Sequence, residues 1–327
     1  MPGDPARMML GQRADQDAID EIKKELGLDK SIAYQYAIYL NDMSFLSTYS
    51  LHENSAHFYD NERYGGVPIF KGKNKVLILK KPYLGKSFQR QKTVASILKE
   101  SVLETTTLAV SAIVFALIVG VILGIISALN QDTFIDRALL VLATSGMTLP
   151  SFFVGILIAW LFGFVWSEYT GLQMSGSLFE VDDLGKGEYI QWSNLILPAL
   201  TLGIRPLAVI LQLCRNSLLE VLSMDYIRTA KAKGLSFYTV LIKHSLRNAL
   251  NPVLTAVSGM FASLMAGAVF IEIIFSWKGI GWEIVNALEQ YDLPIVMGSV
   301  LFIAVIFVVI NIIVDILYGF LDPRLRV

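Results

Sequence analysis

Residues 108–129 run for 22 positions without a single charge. At about 1.5 Å per residue a helix of that length spans roughly 33 Å, enough to cross a bilayer core. Four further apolar runs follow. They are residues 138–165, interrupted by Pro150; 195–213, with Arg205 as their one charge; 252–271, continuing past Glu272 to Phe275; and 294–314. Five such runs argue against the buried helices of a large soluble enzyme and predict an all-α, polytopic membrane protein. Composition agrees: the chain is 54 % hydrophobic and only 17 % charged, where soluble domains carry about a quarter charged residues.

The charges are unevenly placed. They crowd into the first 100 residues and a few short connections, and the net charge of -1 offers no excess of either sign for nucleic acid. Between the third and fourth runs, residues 215–250 hold Arg215, Arg228, Lys231, Lys233, Lys243 and Arg247, and the C-terminus adds Arg324 and Arg326. The connections 166–192 and 276–293 hold one base each, Lys186 and Lys278. Short basic connections stay on the cytoplasmic side, so the 215–250 loop and the C-terminus are expected there. With five runs, residues 1–100 then fall outside, and a sixth span ahead of Met1 is expected to have carried them across.

In this outer region, residues 15–28 (DQDAIDEIKKELGL) show helical periodicity ending at Gly27, and residues 31–43 (SIAYQYAIYLNDM) read as a second helix. The motif NKVLILKKPY suggests a strand, and residues 44–82 otherwise receive no assignment.

The basic loop has a helix grammar of its own. Ser223 is expected to cap a first helix with Asp225 in its first turn and Lys231 and Lys233 in its last, each charge suited to the helix dipole. Gly234 fits the left-handed position after that helix. Ser236 is expected to cap a second helix through Leu250, and Pro252 suits the first turn of the next span. A plain positive-inside loop needs neither two capped helices nor exposed Tyr226, Ile227 and Leu235, so the segment is expected to dock a partner.

No catalytic constellation accompanies these features. The three histidines (His52, His57, His244) are scattered, Cys214 is the only cysteine, and no cluster has metal-ligand spacing. There is no G-x-x-x-x-G-K-[ST] loop, so energy for any pumping must come from another subunit.

Residues 228–234 (RTAKAKG) and 244–252 (HSLRNALNP) resemble the EAA-type loop of binding-protein-dependent ABC transporter permeases, in the variant of the dipeptide/oligopeptide and nickel branch. Further motifs of that branch recur in order: PGDPAR at 2–7, YLGKSF at 83–88, SGMTLPSFFVGI at 145–156 and LPALTLGI at 197–204. They continue with GAVFIEIIFSWKGIGW at 267–282, YDLPIVMG at 291–298 and NIIVDILYGFLDPRLR at 311–326. The resemblance covers residues 1–40 and 83–327 and leaves 44–82 as an insertion in the outer loop. It implies six spans and a partnership of two homologous permeases, two cytosolic ATPase subunits and an extracytoplasmic solute-binding protein in the inner membrane. The cargo would be a peptide, or nickel or another small solute, with ATP and Mg bound by the ATPases and no cofactor or metal on this chain. It also implies that Tyr226, Ile227, Arg228, Thr229, Ala230, Lys231, Gly234 and Leu235 couple to the ATPase. Arg228 stands where the wider motif has an acid.

Within the apolar runs, Arg205 is a candidate for the translocation path and for meeting peptide carboxylates, since a charge inside a span is costly. Glu272 is a candidate for the path or its gate. Trp277 and Trp282 are expected as interfacial anchors around a turn shaped by Gly279 and Gly281, and Glu104 as an interfacial acid. Asn311 and Asp315, four apart on one face, are expected to clamp helices together. An ion-gradient transporter or an intramembrane enzyme would need paired ionisable groups in the spans, and apart from Arg205 these lack them.

Overall fold

A computed structural model of the chain describes residues 5–10, 15–25, 27–52, 55, 57–182 and 187–321. In chain order the elements are α1 (Pro5–Leu10), α2 (Gln16–Glu25), α3 (Ile32–Met43), β1 (Leu46–Ser50), α4 (Asn61–Tyr64), β2 (Val67–Lys71), β3 (Lys75–Leu79) and α5 (Val94–Leu129). There follow α6 (Phe134–Thr148), α7 (Ser151–Trp160) with a π-helical extension (Leu161–Val165), α8 (Ser167–Thr170), β4 (Phe179–Val181), β5 (Glu188–Ile190), α9 (Ser193–Ser223) and α10 (Asp225–Ala232). A π-helical segment (Thr239–Leu246) leads to α11 (Arg247–Ala249), α12 (Asn251–Gly267), α13 (Val269–Ile274), α14 (Ile280–Glu289) and α15 (Leu293–Leu321).

Three helices, Val94–Leu129, Ser193–Ser223 and Leu293–Val314, are long and apolar enough to cross a membrane among the described residues, and α6 with α7 makes a fourth if a bent pair counts as one span. The second apolar run is therefore not straight: the chain bends by 108° between its two halves. The residue before a proline is pushed out of the helical region, and Leu149, ahead of Pro150, is extended at ψ 137°. The fourth run divides at Ala268 between α12 and α13.

The chain forms two compact units. The first comprises residues 1–100 and 283–301. Gly27, at φ +68°, follows α2, and Ser31 caps α3 by accepting the Tyr34 amide at 3.4 Å. Residues 46–79 carry an antiparallel sheet in the order β1-β3-β2, in which β3 is the strand suggested by NKVLILKKPY. Alternation along β3 buries Val76 and Ile78 against Tyr49 of β1, with Tyr59 and Tyr64 beside them. The Tyr49 hydroxyl donates to Asp42 of α3 at 2.8 Å and the Lys80 ammonium donates to the Asp42 carbonyl. Burial raises the Asp42 carboxyl above its ordinary value and lowers the Lys80 ammonium below its own. Two motifs about two hundred residues apart also meet here: Asp292 accepts the Ser87 hydroxyl at 2.5 Å and the Phe88 amide at 3.2 Å.

The second unit comprises residues 101–282 and 302–327. Its α5 and α9 approach closely because small residues line the contact. A Cβ on Gly120 would come within 2.9 Å of Ile210, and one on Gly124 within 2.8 Å of Cys214. At Gly203 a Cβ would meet Phe115 at 2.7 Å. In α15, Asn311 turns its amide back onto the Phe307 carbonyl at 2.7 Å, and the Asp315 side chain lies outside the described residues.

Candidate functional site

The basic loop between α9 and α12 folds as two helical pieces. The first, α10, begins one residue later than a Ser223 cap would place it. Met224 occupies the cap position, and the Ser223 hydroxyl instead donates to the Glu220 carbonyl at 2.7 Å, closing α9. Asp225 stands in the first turn of α10 and Lys231 in its last, and Gly234 follows at φ +76°. Ser236 accepts the Thr239 amide at 3.4 Å, and Pro252 lies in the first turn of α12. The two pieces are joined side to side, since Asn248 donates to the Tyr226 hydroxyl at 2.9 Å.

The helix has two faces. Ile227 is 0 % exposed and Ala230 8 %. Both pack with Ala128 of α5, Leu218 and Val221 of α9, and Val240, Leu241 and Ala249 from the second piece. This corrects the expectation that Ile227 is exposed for docking: its side chain roots the helix in the membrane unit, because the 3.6-residue repeat turns positions 227 and 230 to the same side. Tyr226, Arg228, Thr229, Lys231, Gly234 and Leu235 are exposed, and so are Phe237 and Tyr238. The outer face is thus basic with an aromatic and apolar rim. An ion pair of Arg228 with Asp225 at 3.5 Å lies open to solvent.

Close to this root sits a buried ion pair that no local sequence pattern announces. Asp136, 1 % exposed, accepts Nε and Nη2 of Arg215, each at 2.7 Å. It also takes the Ser127 hydroxyl at 2.5 Å and the Asp132 amide at 3.0 Å. Arg215 reads in sequence only as one more positive-inside charge. Its partner lies 79 positions away, and no local pattern pairs the two.

A cavity of about 440 Å³ opens in the elbow of the bent pair, walled by α6 and α7, by α9 and by α12. Its lining is mainly apolar, with the hydroxyls of Ser151, Thr201 and Ser263 and the guanidinium of Arg205. Arg205 makes no hydrogen bond or ion pair among the described residues. Pro206 beside it has no N–H to give the Leu202 carbonyl, and Leu202 and Pro206 also line this wall. Glu272 does not line the cavity. It is 1 % exposed, takes the Thr105 hydroxyl at 2.8 Å and the Trp282 amide at 3.0 Å, and so clamps the loop after α13 to α5.

Around Glu272 the sequence expectations need two corrections. Glu104 is buried, not interfacial: it accepts the Ser177 hydroxyl at 2.8 Å and the amides of Leu178 and Phe179 at 3.3 and 3.4 Å. Trp277 is fully buried, its Nε1–H donating to the Glu104 carbonyl at 3.0 Å. A polar-tipped ring beside an apolar run reads as a membrane anchor, yet this one found a buried acceptor. Gly279 is required by the clamp, because a Cβ there would stand 2.4 Å from both the Glu272 carboxyl and Thr105 Oγ1.

Residues 120–327 match the family of binding-protein-dependent transport system inner membrane components, and residues 1–57 match the N-terminal region of such membrane components. The chain belongs to this family: it is a multi-pass permease subunit of the binding-protein-dependent ABC importers. Over 339 residues it is 32 % identical to the dipeptide transport system permease protein DppB of Alkalihalophilus pseudofirmus, covering 100 % of this chain and 91 % of that one. The glutathione transport system permease protein GsiC of Escherichia coli is 31 % identical over 326 residues, with 100 % and 90 % covered. The DppB protein of Haemophilus influenzae is 41 % identical over 259 residues, with 74 % and 76 % covered. Among solved structures, the methionine ABC transporter MetNI in inward-facing conformations shares the fold at a TM-score of 0.53 and 14 % identity, covering 70 % of this chain and 97 % of its own.

Proposed function

We propose that this chain is one of two permease subunits of an ATP-driven importer for peptides, carrying the cargo through the inner membrane along the wall that holds Arg205. In this reading a second, homologous permease completes the path, and a solute-binding protein delivers the peptide on the outer side. Two cytosolic subunits hold ATP and Mg and hydrolyse the nucleotide, while this chain performs no chemistry of its own. Peptides are favoured as cargo by relatives that bear dipeptide and glutathione transport names. The Glu272 clamp at the far end of α5 supports the outer gate.

The observation that carries the reading is the two-faced setting of α10. One face, through Ile227 and Ala230, is packed on the ends of α5 and α9. The other offers Arg228, Thr229, Lys231 and Leu235 to solvent. A helix held this way can pass a push from a bound ATPase into two membrane helices without deforming, because packed interiors transmit strain. Leu235→Asp places a charge on the exposed rim without touching the root. Co-purification of the ATPase subunits is expected to fall at least tenfold, with the permease still inserted at normal yield. Full ATPase recovery with peptide-stimulated hydrolysis intact would overturn the assignment of this face.

A further inference from the structure

We propose that the elbow cavity is an anion subsite in which Arg205 receives the carboxylate end of the cargo during passage. The inference rests on the importer reading above and adds to it a chemical requirement on the substrate.

Arg205 lies twelve residues into α9 (Ser193–Ser223), about 18 Å along the helix axis. With Trp192 at the start of the helix as an interfacial marker, that depth is close to the middle of a hydrocarbon core about 30 Å thick. A guanidinium there cannot simply snorkel to water as one at a helix end does. Intramembrane charges ordinarily pair, or they face an aqueous cavity along a transport path. Arg205 is exposed, lines a cavity of about 440 Å³ and has no partner among the described residues.

The rest of the lining fits a small anionic solute. Most of the surface is apolar, supplied by residues such as Leu149, Val154, Val209 and Met260, and Ser151, Thr201 and Ser263 add hydroxyls. Mostly apolar walls with a few placed polar groups and a volume of roughly 300–1,000 Å³ are the usual make-up of a small-molecule pocket. The planar guanidinium fork matches a carboxylate in bidentate fashion, and no lysine could reproduce that geometry. A peptide carries one free carboxylate whatever its side chains, so a single arginine suits cargo of varied sequence. No acidic residue lines the cavity to compete for it.

The test uses the complete transporter, with both permeases, the ATPases and the binding protein, in proteoliposomes. Uptake of dialanine is compared with uptake of dialanine C-terminal amide in the wild type, in Arg205→Gln and in Arg205→Lys. Discrimination by the binding protein is common to all three and cancels in the ratio. Arg205→Gln is expected to reduce the acid-to-amide uptake ratio at least tenfold, and Arg205→Lys to reduce it by less. An unchanged ratio in Arg205→Gln overturns the subsite. Equal loss of both peptides also overturns it, and points instead to Arg205 pairing with an acid of the second permease. A wild-type transporter that takes up neither peptide would sink the importer reading itself, a separate outcome.

Discussion

Buried carboxylates occur at both ends of α5, and they are satisfied differently. Near its C-terminal end, Asp136 meets a cation, with both oxygens engaged by Arg215 at 2.7 Å. Near its N-terminal end, Glu104 and Glu272 have no ion pair among the described residues and accept only O–H and N–H donors, most of them backbone amides of residues 178, 179 and 282. The difference follows from what each end must hold. At the Asp136 end, α5, α6 and α9 are regular helices and only the Asp132 amide of the intervening turn draws on the carboxylate, so one side-chain pair can brace them. At the other end the loops before β4 and after α13 are irregular, and buried irregular backbone needs internal acceptors. A carboxylate offers about four lone-pair sites, which makes it an efficient collector of loose N–H groups.

The comparison is most easily broken at the ion pair. Arg215→Met leaves Asp136 buried without its cation, which costs about 3–5 kcal/mol. The complex is expected to show a sharply lowered unfolding temperature in detergent. Adding Asp136→Leu should restore most of that loss, because replacing a whole buried pair by apolar groups is often neutral. If the double variant is no better than Arg215→Met alone, the pair is not the brace described here.

Next in size is the buried root of α10. Ile227→Ala removes a fully buried side chain from a packed cluster, at a cost of about 2–5 kcal/mol for a change of this kind. The expected signature is functional as well as thermal: ATPase subunits still bind through the outer face, while peptide no longer stimulates hydrolysis. Loss of ATPase binding in this variant would mean that Ile227 faces the partner after all.

How far these ends could be read from the sequence differs in the same way. Helix α10 is legible because its signals are local: Asp225 and Lys231 at opposite ends, Gly234 after them and Pro252 in the first turn of α12. The direction in which Ile227 points is not, since that depends on where α5 and α9 end beneath it. The apolar runs were legible by length, and Pro150 marked the break in the second. The 108° angle there depends on packing that no local window contains. Glu104 and Trp277 read as interfacial in sequence but are buried, for a related reason. A charge or an indole flanking an apolar run normally faces water or headgroups, and their mutual bond spans 173 positions. In the outer region, alternation in NKVLILKK announces β3, while β1 and β2 carry weaker patterns.

The smallest expected effect tests the donor-only end most finely. In Glu272→Gln the amide oxygen can keep the Trp282 N–H, and the amide nitrogen then faces Thr105 Oγ1. That hydroxyl already accepts the Ile280 amide at 2.9 Å, but its oxygen has a second lone pair and its proton can rotate away. One hydrogen bond is reversed, the Thr105 hydroxyl proton loses the carboxylate that accepted it, and no cation is left behind, so the cost should be about 1–3 kcal/mol. The unfolding temperature is expected to fall less than in the two variants above, with peptide uptake close to normal. A loss as large as that of Arg215→Met would show that the negative charge of Glu272 is itself required, and the contrast between a charge-paired end and a donor-satisfied end would fail.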